Sequence, residues 1–374
     1  MTETTTNEYF APENPDQLRE LVTWAISERK TIYAGGLNTK STLGHPVEDA
    51  CDLHISLKAF NTIDQYNPAE LVMTAGAGTS FKQIQETLAK NNQILAFDPP
   101  ILDGLFRDNI EENNTDANNV VGGSIGGVFA CNLSGSRRLS AGAARDHLLG
   151  FQAISGRGEA FKSGGQVMKN VTGYDLSKLL CGSYGTLGLM HQLSFKVLPK
   201  PEESRTLIVT GVDAKIGNVI MNEAMKSNAD VCAASWLPSS LLDRFSNKLV
   251  SSLETDIVAC RLEGPKPSVI QRLKFLRDKF SPQGKIEELH DDNSHAFWDS
   301  VKNVTPFAKA FDNRVLWRIS VPPASGASFI EELKSRNNLE NWDAYMDWAG
   351  GLIWLAIDAP KMGAADLIRG ILSK

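Results

Sequence analysis

The most constraining feature of this sequence is the segment at residues 120–150, VVGGSIGGVFACNLSGSRRLSAGAARDHLLG, which sets two glycine pairs between apolar residues. Glycine in the interior of a helix or strand costs about 0.5–1 kcal/mol relative to alanine. A fold that keeps so many glycines in one place therefore needs a backbone that something approaches closely. Further glycine-containing loops lie in the same half of the chain: AGGLNT at 34–39 and CGSYGTLG at 181–188.

These loops predict a ligand that carries phosphate. Successive backbone N–H groups in such loops form concavities that bind anions, and side chains there would block the approach of a diphosphate. Asn38, Thr39, Ser124 and Ser134 add small polar groups without bulk. A single loop of this kind is explained by a tight turn. The several loops in this half of the chain, with NLSG and SAGAARD in 132–146, instead favour a large diphosphate-bearing ligand.

Composition and charge exclude several classes of protein. The formal net charge of −6 argues against a nucleic-acid-binding protein, because neutralising phosphates requires a basic surface. No apolar run reaches the ~18–20 residues of a membrane span. The first residues lack the basic and apolar regions of a signal peptide, so we expect a cytoplasmic protein. Scattered cysteines without a CxxC pair and dispersed histidines predict free thiols, with no bound metal or iron–sulfur cluster.

The pattern along the chain predicts an α+β protein. Apolar residues recur at helical spacing in 14–30, and 147–161 has the pattern of a β-hairpin that turns around 156–158. PKPEES, at 199–204, predicts a linker, after which glycine becomes rarer and tryptophan more frequent. We therefore predict one domain over 1–199 and a short α+β cap over 200–374, with an antiparallel sheet backed by helices. Its tryptophans would fill the core or contact a partner chain: Trp298, Trp317, Trp342, Trp348 and Trp354.

One motif predicts a different chemistry. GGSIG at 122–126 matches the G-x-S-x-G pattern of serine hydrolases. Ser124 would be the nucleophile, with His290 or His295 as its base. No HGGG-type oxyanion segment precedes the motif, which weakens the hydrolase hypothesis.

A second motif suggests a nicotinamide dinucleotide. GAGTSF at 76–81 approaches the G-x-G-x-x-G pattern, and Asp98 follows at about the distance of a ribose-binding acid. Phe81 stands where the third glycine belongs, however, and its ring would obstruct the close packing of helix on strand. A Rossmann site is therefore a weaker alternative.

The motifs together resemble a known family. AGGLNTKSTLG (34–44), the segment at 120–150, VMKNVTGYDLSKLLCGSYGTLGLM (167–190) and FKVLP (195–199) are similar to the FAD-binding domain of the vanillyl-alcohol-oxidase superfamily. Within it, the chain resembles the FAD-binding E subunits of glycolate oxidase, also called glycolate dehydrogenase, over nearly its whole length. The resemblance implies an FAD domain of two α+β subdomains, with FAD between them, followed by a cap domain that is shortened in this chain.

The same resemblance implies which residues contact FAD. A first loop would hold the pyrophosphate, a second turn would contact phosphate, a third segment would lie beneath the flavin, and a strand entry would hold the adenine half. In that order, these residues are Gly35, Gly36, Leu37, Asn38 and Thr39; Gly122, Gly123, Ser124, Ile125 and Gly126; Asn132, Ser134 and Gly135; and Gly185, Thr186, Gly188 and Leu189. Gly142 and Asp146 match a further region of the family, YG..RD, and are also implied to contact the cofactor. Covalent members of the family carry histidine at the position of Leu37, so the resemblance implies non-covalent FAD.

The implied activity is oxidation of glycolate, a 2-hydroxy acid, to glyoxylate. Electrons would pass through the flavin to an iron–sulfur subunit. The complex would also contain a second flavoprotein subunit. Through this complex the chain would lie at the inner membrane as a peripheral protein. The GHxGDGNxH segment of the family's catalytic subunits is absent after Pro199, which favours a relay role. A stand-alone FAD-dependent 2-hydroxy-acid dehydrogenase is the alternative. Arg261 and Arg318 are the candidate carboxylate clamps, and the sequence identifies no catalytic base.

Overall fold

The computed structural model describes residues 8–44, 51–106, 122–165, 173–308, 312, 314–336, 341–358 and 364–373. The chain divides into two compact units. The first comprises Met1–Ser134 and Gly142–Lys200, and the second comprises Gly135–Ala141 and Pro201–Lys374. The sequence prediction assigned residues 135–141 to the first domain. That assignment is wrong, because this short segment packs with the second unit.

The strands of the first unit are β1 (Glu8–Phe10), β2 (Ile32–Gly35), β3 (Leu53–Ser56), β4 (Ile63–Asn67), β5 (Val72–Gly76), β6 (Gln93–Ile94), β7 (Leu148–Ser155), β8 (Ala160–Gly164), β9 (Gly188–Lys196) and β10 (Leu198–Pro199). A parallel sheet has the order β1–β3–β2, and an antiparallel sheet has the order β4–β5–β9–β7–β8. β6 pairs with β10. Ile154 of β7 lies opposite Ala160 of β8, which confirms the predicted hairpin.

Helices up to residue 200 are α1 (Pro15–Ser27), α2 (Phe81–Ala89), α3 (Asp103–Phe106), α4 (Ile125–Ala130), α5 (Arg138–Ala141), α6 (Ala144–His147) and α7 (Leu176–Leu180). All but α5 belong to the first unit. Helix α1 begins where the sequence predicts it, because the Asn14 side chain accepts a hydrogen bond from the Gln17 N–H at 3.0 Å. Its Leu18 packs with Ile55 and Ile154 in a small apolar core, so α1 covers β3 and β7.

The second unit is built on an antiparallel sheet of order β14–β11–β13–β12–β16–β17–β15. Its strands are β11 (Glu203–Thr210), β12 (Ala233–Leu237), β13 (Ile257–Gly264), β14 (Lys285–His290), β15 (Val315–Ser320), β16 (Trp342–Asp347) and β17 (Leu352–Ile357). Its longer chain segment supplies α8 (Ala214–Lys226), α9 (Lys248–Ser251), α10 (Lys266–Phe280), α11 (Asp291–Lys302), α12 (Gly326–Lys334) and α13 (Ala365–Leu372). The predicted architecture of an antiparallel sheet with helices is confirmed.

The tryptophans of the second unit lie mainly in its interior. Trp298, Trp348 and Trp354 are buried, and Trp317 and Trp342 are partly buried and pack against the main apolar core. Burying an aromatic side chain of this size is a large apolar contribution to stability. The alternative hypothesis, that these tryptophans contact a partner chain, is therefore wrong for the three that are buried.

Two polar contacts bind residues 135–141 to the rest of the second unit. Arg137 donates from Nε and Nη2 to the Glu263 carboxylate at 2.8 and 2.7 Å, in a bidentate pair. The Trp348 indole donates from Nε1 to the Gly135 carbonyl at 2.9 Å. These groups are largely buried. Their polar atoms would lower the free energy of unfolding if they lacked hydrogen bonds, and the pairing avoids that loss.

Candidate functional site

A cavity of about 700 Å³ lies in the first unit. Its wall is formed by the loop after β2, by α4, by the end of β7 and by the loop that leads into β9. Sites that enclose small molecules have volumes of roughly 300–1,000 Å³. The predicted FAD contacts that line the cavity are Gly35, Gly36, Leu37, Asn38, Thr39, Ser124, Gly126, Gly185, Thr186, Gly188 and Leu189.

The loop after β2 brings several backbone donors to the wall of the cavity. Within the described part of the chain, the amides of residues 36, 37, 38 and 39 make no hydrogen bond. Asn38 has a φ of 50°, in the left-handed region. Runs of N–H groups in turns that combine right- and left-handed residues form concave anion sites. This loop therefore has the chemistry predicted for a phosphate-binding loop.

Two glycines of the predicted phosphate loops are required by packing inside the protein. A Cβ built on Gly36 would lie 2.3 Å from the Ser124 Oγ. Gly123 has a φ of 71°, which side chains strain to adopt, and its Cβ would lie 2.0 Å from the Thr39 Oγ1. The first loop and the second loop therefore pack directly against each other. Contact between the loops, rather than room for phosphate, explains glycine at these two positions.

The second loop is anchored at Gly122. Its N–H donates to the Asp103 carboxylate at 3.0 Å, and its carbonyl accepts from the Lys40 Nζ at 2.8 Å. The Lys40 Nζ also donates to the Thr39 Oγ1 at 3.1 Å. Lys40 lines the cavity, whereas Gly122, Gly123 and Ile125 are buried beside it without lining it. The sequence prediction missed Lys40, although it directly follows the first loop.

The segment predicted to lie beneath the flavin, with the neighbouring Gly142 and Asp146 of the YG..RD region, does not line this cavity. Its side chains accept hydrogen bonds from the backbone around α6: Asn132 Oδ1 from the Arg145 N–H (3.1 Å), Ser134 Oγ from the Ala144 N–H (2.9 Å) and Asp146 Oδ2 from the Ala143 N–H (2.8 Å). Gly142, with a φ of 89°, turns the chain into this helix. Gly135 is bonded within the second unit instead. In the structure these residues hold the backbone around α6.

Ser124 is a helix cap. Its Oγ accepts a hydrogen bond from the Gly127 N–H at 3.3 Å, and its backbone is extended, with a φ of −97°, rather than strained as in a nucleophile elbow. No histidine in the described ranges hydrogen-bonds to it, and His290 and His295 belong to the second unit. The serine hydrolase hypothesis is therefore wrong.

The GAGTSF motif does not form a Rossmann turn. It follows β5, which pairs antiparallel with both neighbours, whereas the dinucleotide motif follows a strand of a parallel sheet. A Cβ on Gly78 would lie 2.2 Å from the Leu57 carbonyl oxygen, so this glycine also serves internal packing. Phe81 is buried at the start of α2. The nicotinamide hypothesis is therefore wrong.

Two thiols lie at or near the cavity. Burial raises the pKa of the Cys131 thiol to about 11, against a smaller lowering by the Lys40 charge. Burial also raises the pKa of the Cys181 thiol to about 12, and its Sγ donates to the Phe129 carbonyl at 3.0 Å. Of the two, only Cys131 lines the cavity. Both are protonated at neutral pH and therefore poor nucleophiles.

The two arginines proposed as carboxylate clamps differ in their surroundings. Arg261 is 3% exposed, and its guanidinium bonds the Glu263 carboxylate at 2.8 Å and the His295 Nδ1 at 3.1 Å. Arg318 is exposed on β15 and lies 5.2 Å from the centre of the Trp348 ring. Arg261 is therefore committed to internal pairing, and Arg318 is the more accessible of the two.

Among the residues that the structure describes, no cluster of three or more His, Cys, Asp or Glu side chains is arranged to hold a metal ion. None of the helices in those ranges combines the length and the apolar character needed to cross a bilayer.

Comparison with known proteins relates the chain to flavoproteins. The family model described as "FAD binding domain" matches residues 7–104. The chain is 33% identical to glycolate oxidase subunit GlcE of Escherichia coli K12 over 343 residues, which is 90% of this chain and 79% of that protein. It is 28% identical to glycolate oxidase subunit GlcD of Bacillus subtilis 168 over 236 residues, covering 62% of this chain and 44% of that protein.

Solved structures support the same fold. The 4-ethylphenol oxidase of Gulosibacter chungangensis has a TM-score of 0.71 at 12% identity, with 98% of this chain and 78% of that chain covered. The p-cresol methylhydroxylase has a TM-score of 0.70 at 12% identity and the same coverage. The predicted fold class, the α+β fold of the vanillyl-alcohol-oxidase type, is thereby confirmed.

Proposed function

The chain belongs to the family of glycolate oxidase subunit GlcE and is an FAD-dependent oxidoreductase, and on this basis we propose that it is the FAD-binding subunit of a glycolate-oxidising complex. In that role it takes part in converting glycolate to glyoxylate, which releases two electrons and two protons. The electrons then pass to an iron–sulfur partner subunit.

The observation that carries the proposal is the run of amides at residues 36–39, which make no hydrogen bond to any residue that the structure describes and lie in the wall of a cavity of about 700 Å³. These four N–H groups suit the oxygens of a diphosphate, and Thr39 and Ser124 add hydroxyls to the same wall. Residues 185–189 would hold the adenine half of FAD. When bound, FAD supplies the two-electron acceptor that no amino-acid side chain provides.

The residues of the cavity fit a cofactor that is not covalently attached. Leu37 offers no nucleophilic atom at the position where covalent relatives carry histidine. Cys131 does line the cavity, but a thiol with a pKa of about 11 is almost entirely protonated at neutral pH. We expect acid precipitation of the flavin-loaded protein to release all of its flavin as intact FAD. Flavin that stays with the precipitate would contradict this expectation.

The names of the relatives support a role within an assembly, since GlcE and GlcD are both described as glycolate oxidase subunits. The sequence after Pro199 also lacks the histidine-rich segment GHxGDGNxH. We therefore propose that a second flavoprotein subunit and an iron–sulfur subunit complete the complex, which associates peripherally with the inner membrane.

Steady-state kinetics tests this division of labour. The purified, FAD-loaded chain is assayed for glycolate-dependent reduction of an artificial dye, alone and after addition of the two partner subunits. We expect little turnover from the chain alone and full activity from the mixture, with the mixture lacking this chain as the control. Rapid turnover of glycolate or another 2-hydroxy acid by the chain alone would instead identify a stand-alone dehydrogenase, and the exposed Arg318 would then be the first residue to replace.

A further inference from the structure

Helices α8 and α10 lie side by side on one face of the sheet of the second unit. Met221 of α8 and Leu273 of α10 belong to the same buried apolar core, and both helices contact β13. On the solvent side, the Lys279 Nζ lies 3.1 Å from the Glu223 Oε2, so an ion pair bridges the two helices. The outer surfaces of α8 and α10 therefore form one face, which we call the α8–α10 face.

Apolar side chains are exposed on the α8–α10 face. Val219 precedes Glu223 by four residues and Phe275 precedes Lys279 by four residues, so each lies one turn from the ion pair on the same side of its helix. Val219 is 55% exposed, Phe275 is 47% exposed, and Ile216 is exposed one turn before Val219. Exposed apolar side chains that are grouped on one surface often mark an interaction site. Among the described residues of the second unit, Phe275 is the large aromatic side chain left exposed.

The same face is basic in an otherwise acidic chain. Helices α8 and α10 contain seven basic and two acidic side chains, whereas the whole chain has a formal net charge of −6. Three exposed lysines of these helices form no ion pair with any residue that the structure describes: Lys215, Lys226 and Lys274. Lys215 and Lys226 flank Val219 along α8, and Lys274 directly precedes Phe275. Cations therefore border the exposed apolar side chains.

We propose that the α8–α10 face docks one partner subunit of the glycolate-oxidising complex, through a partner surface that carries carboxylates around an apolar centre. An apolar centre with a polar rim is the usual anatomy of a protein interface. Complementary charge at the rim speeds association and disfavours wrong partners. The proposal rests on the proposed function, because it takes a subunit of that complex as the occupant.

A protein surface fits this face better than an anionic membrane does. Glu223 and Asp278 are also exposed on these two helices, and lipid phosphates would repel both carboxylates. A protein can instead place basic side chains opposite these two residues and carboxylates opposite the three lysines. The mixed charge of the face therefore favours a protein partner.

Binding of each purified partner subunit to the immobilised, FAD-loaded chain tests the charged part of the face. The charge variant combines Lys215→Glu, Lys226→Glu and Lys274→Glu. Its control makes the same change in net charge at exposed lysines of the first unit, with Lys58→Glu, Lys90→Glu and Lys200→Glu. At about 0.05 M salt we expect the charge variant to bind its partner about 10- to 100-fold more weakly, mainly through slower association. The difference should shrink at about 0.5 M salt, where screening is stronger, and the control should stay within about twofold of the wild type.

A second variant tests the apolar part. Phe275→Ser removes the exposed ring and leaves every lysine in place. Because a few aromatic anchors dominate the affinity of many interfaces, we expect about tenfold weaker binding, mainly through faster dissociation. Ile26→Ser, at a residue that is 45% exposed on α1 of the first unit, is the matched control and should bind like the wild type. Thermal unfolding checks each variant, and glutamine at the three lysine positions replaces the charge variant if glutamate prevents folding.

The outcomes separate this face from the proposed complex. Wild-type chain that binds a partner subunit, with the charge variant and Phe275→Ser within about twofold of it, would overturn the docking face alone. Equal losses in the charge variant and its first-unit control would also overturn it. Unchanged partner binding with weaker attachment of the charge variant to vesicles of phosphatidylglycerol and phosphatidylcholine would identify a membrane surface instead. A wild-type chain that binds neither partner subunit would refute the proposed complex, and the docking face with it.

Discussion

Replacing Gly36 by alanine should damage the contact between the two loops without any backbone strain. Gly36 adopts no left-handed φ, so alanine can follow the same chain path. Its new Cβ would lie 2.3 Å from the Ser124 Oγ and 3.0 Å from the Ser124 Cβ, whereas ordinary carbon contacts begin near 3.4 Å. The substitution therefore forces Ser124 or the first loop to move.

The size of the effect follows from these distances. Overpacking by one methyl group in a packed site costs about 1–3 kcal/mol, and we expect Gly36→Ala to fall in this range because Ser124 is held as the cap of α4. In a domain of about 150–250 residues, each kcal/mol of lost stability lowers the melting temperature by roughly 2–4 °C. Gly156, where a Cβ would meet nothing within 4 Å, is the matched control. Gly156→Ala should be neutral or stabilising by up to about 1 kcal/mol.

A double-mutant cycle identifies the clashing atom. Ser124→Ala removes the Oγ and, as the loss of a helix cap, should cost about 1 kcal/mol alone. In that background Gly36→Ala should cost less than about 1 kcal/mol, which gives a coupling energy of about 1–2 kcal/mol between the two positions. Thermal unfolding of the four apoproteins, followed by circular dichroism, measures the cycle. Additive effects of the two substitutions would refute the packing argument.

Two further predictions concern buried charge. The pKa of the Cys131 thiol is near 9.0 in the unfolded chain and about 11 in the folded protein. The thiol's contribution to the free energy of unfolding is therefore complete below about pH 9 and is lost as the pH rises toward 11. In unfolding measurements over this pH range, Cys131→Ser should remove that part of the decline in stability. Glu263→Gln removes the carboxylate that faces both Arg137 and Arg261 and should lower the stability of the second unit by about 3–5 kcal/mol. The control Glu254→Gln, at an exposed residue, should change that stability by less than about 0.5 kcal/mol. Equal melting temperatures of the two variants would contradict the pairing.

The parts of the fold that the sequence predicts are those with local signals. Asn14 and the helical spacing of the apolar residues predict helix α1. The turn between two strand patterns predicts the hairpin of β7 and β8. The resemblance assigned residues of three separate segments, 35–39, 124–126 and 185–189, to one ligand, and residues of all three line one cavity, because the order of the glycine loops is itself a pattern. That these residues contact FAD stays a prediction.

Other features depend on partners far away in sequence and carry no local signal. The bond from Lys40 to the Gly122 carbonyl spans 82 residues, and the pair that joins Arg137 to Glu263 spans 126. The glycines of the two loops were visible in the sequence, but the atoms that require them were not. Gly36 faces Ser124 in the structure, so a glycine pattern alone did not distinguish room for a ligand from close packing of two chain segments.

The course of the backbone limits how this protein can be divided. The chain leaves the first unit after Ser134, re-enters it at Gly142 and leaves again after Lys200, so three peptide connections join the units. A fragment that stops at Lys200 would contain Arg137 but not Glu263, so it would lose the bidentate pair between them. Exchanging the second unit between relatives by recombination would therefore require moving seven residues from the middle of the first unit together with the C-terminal segment.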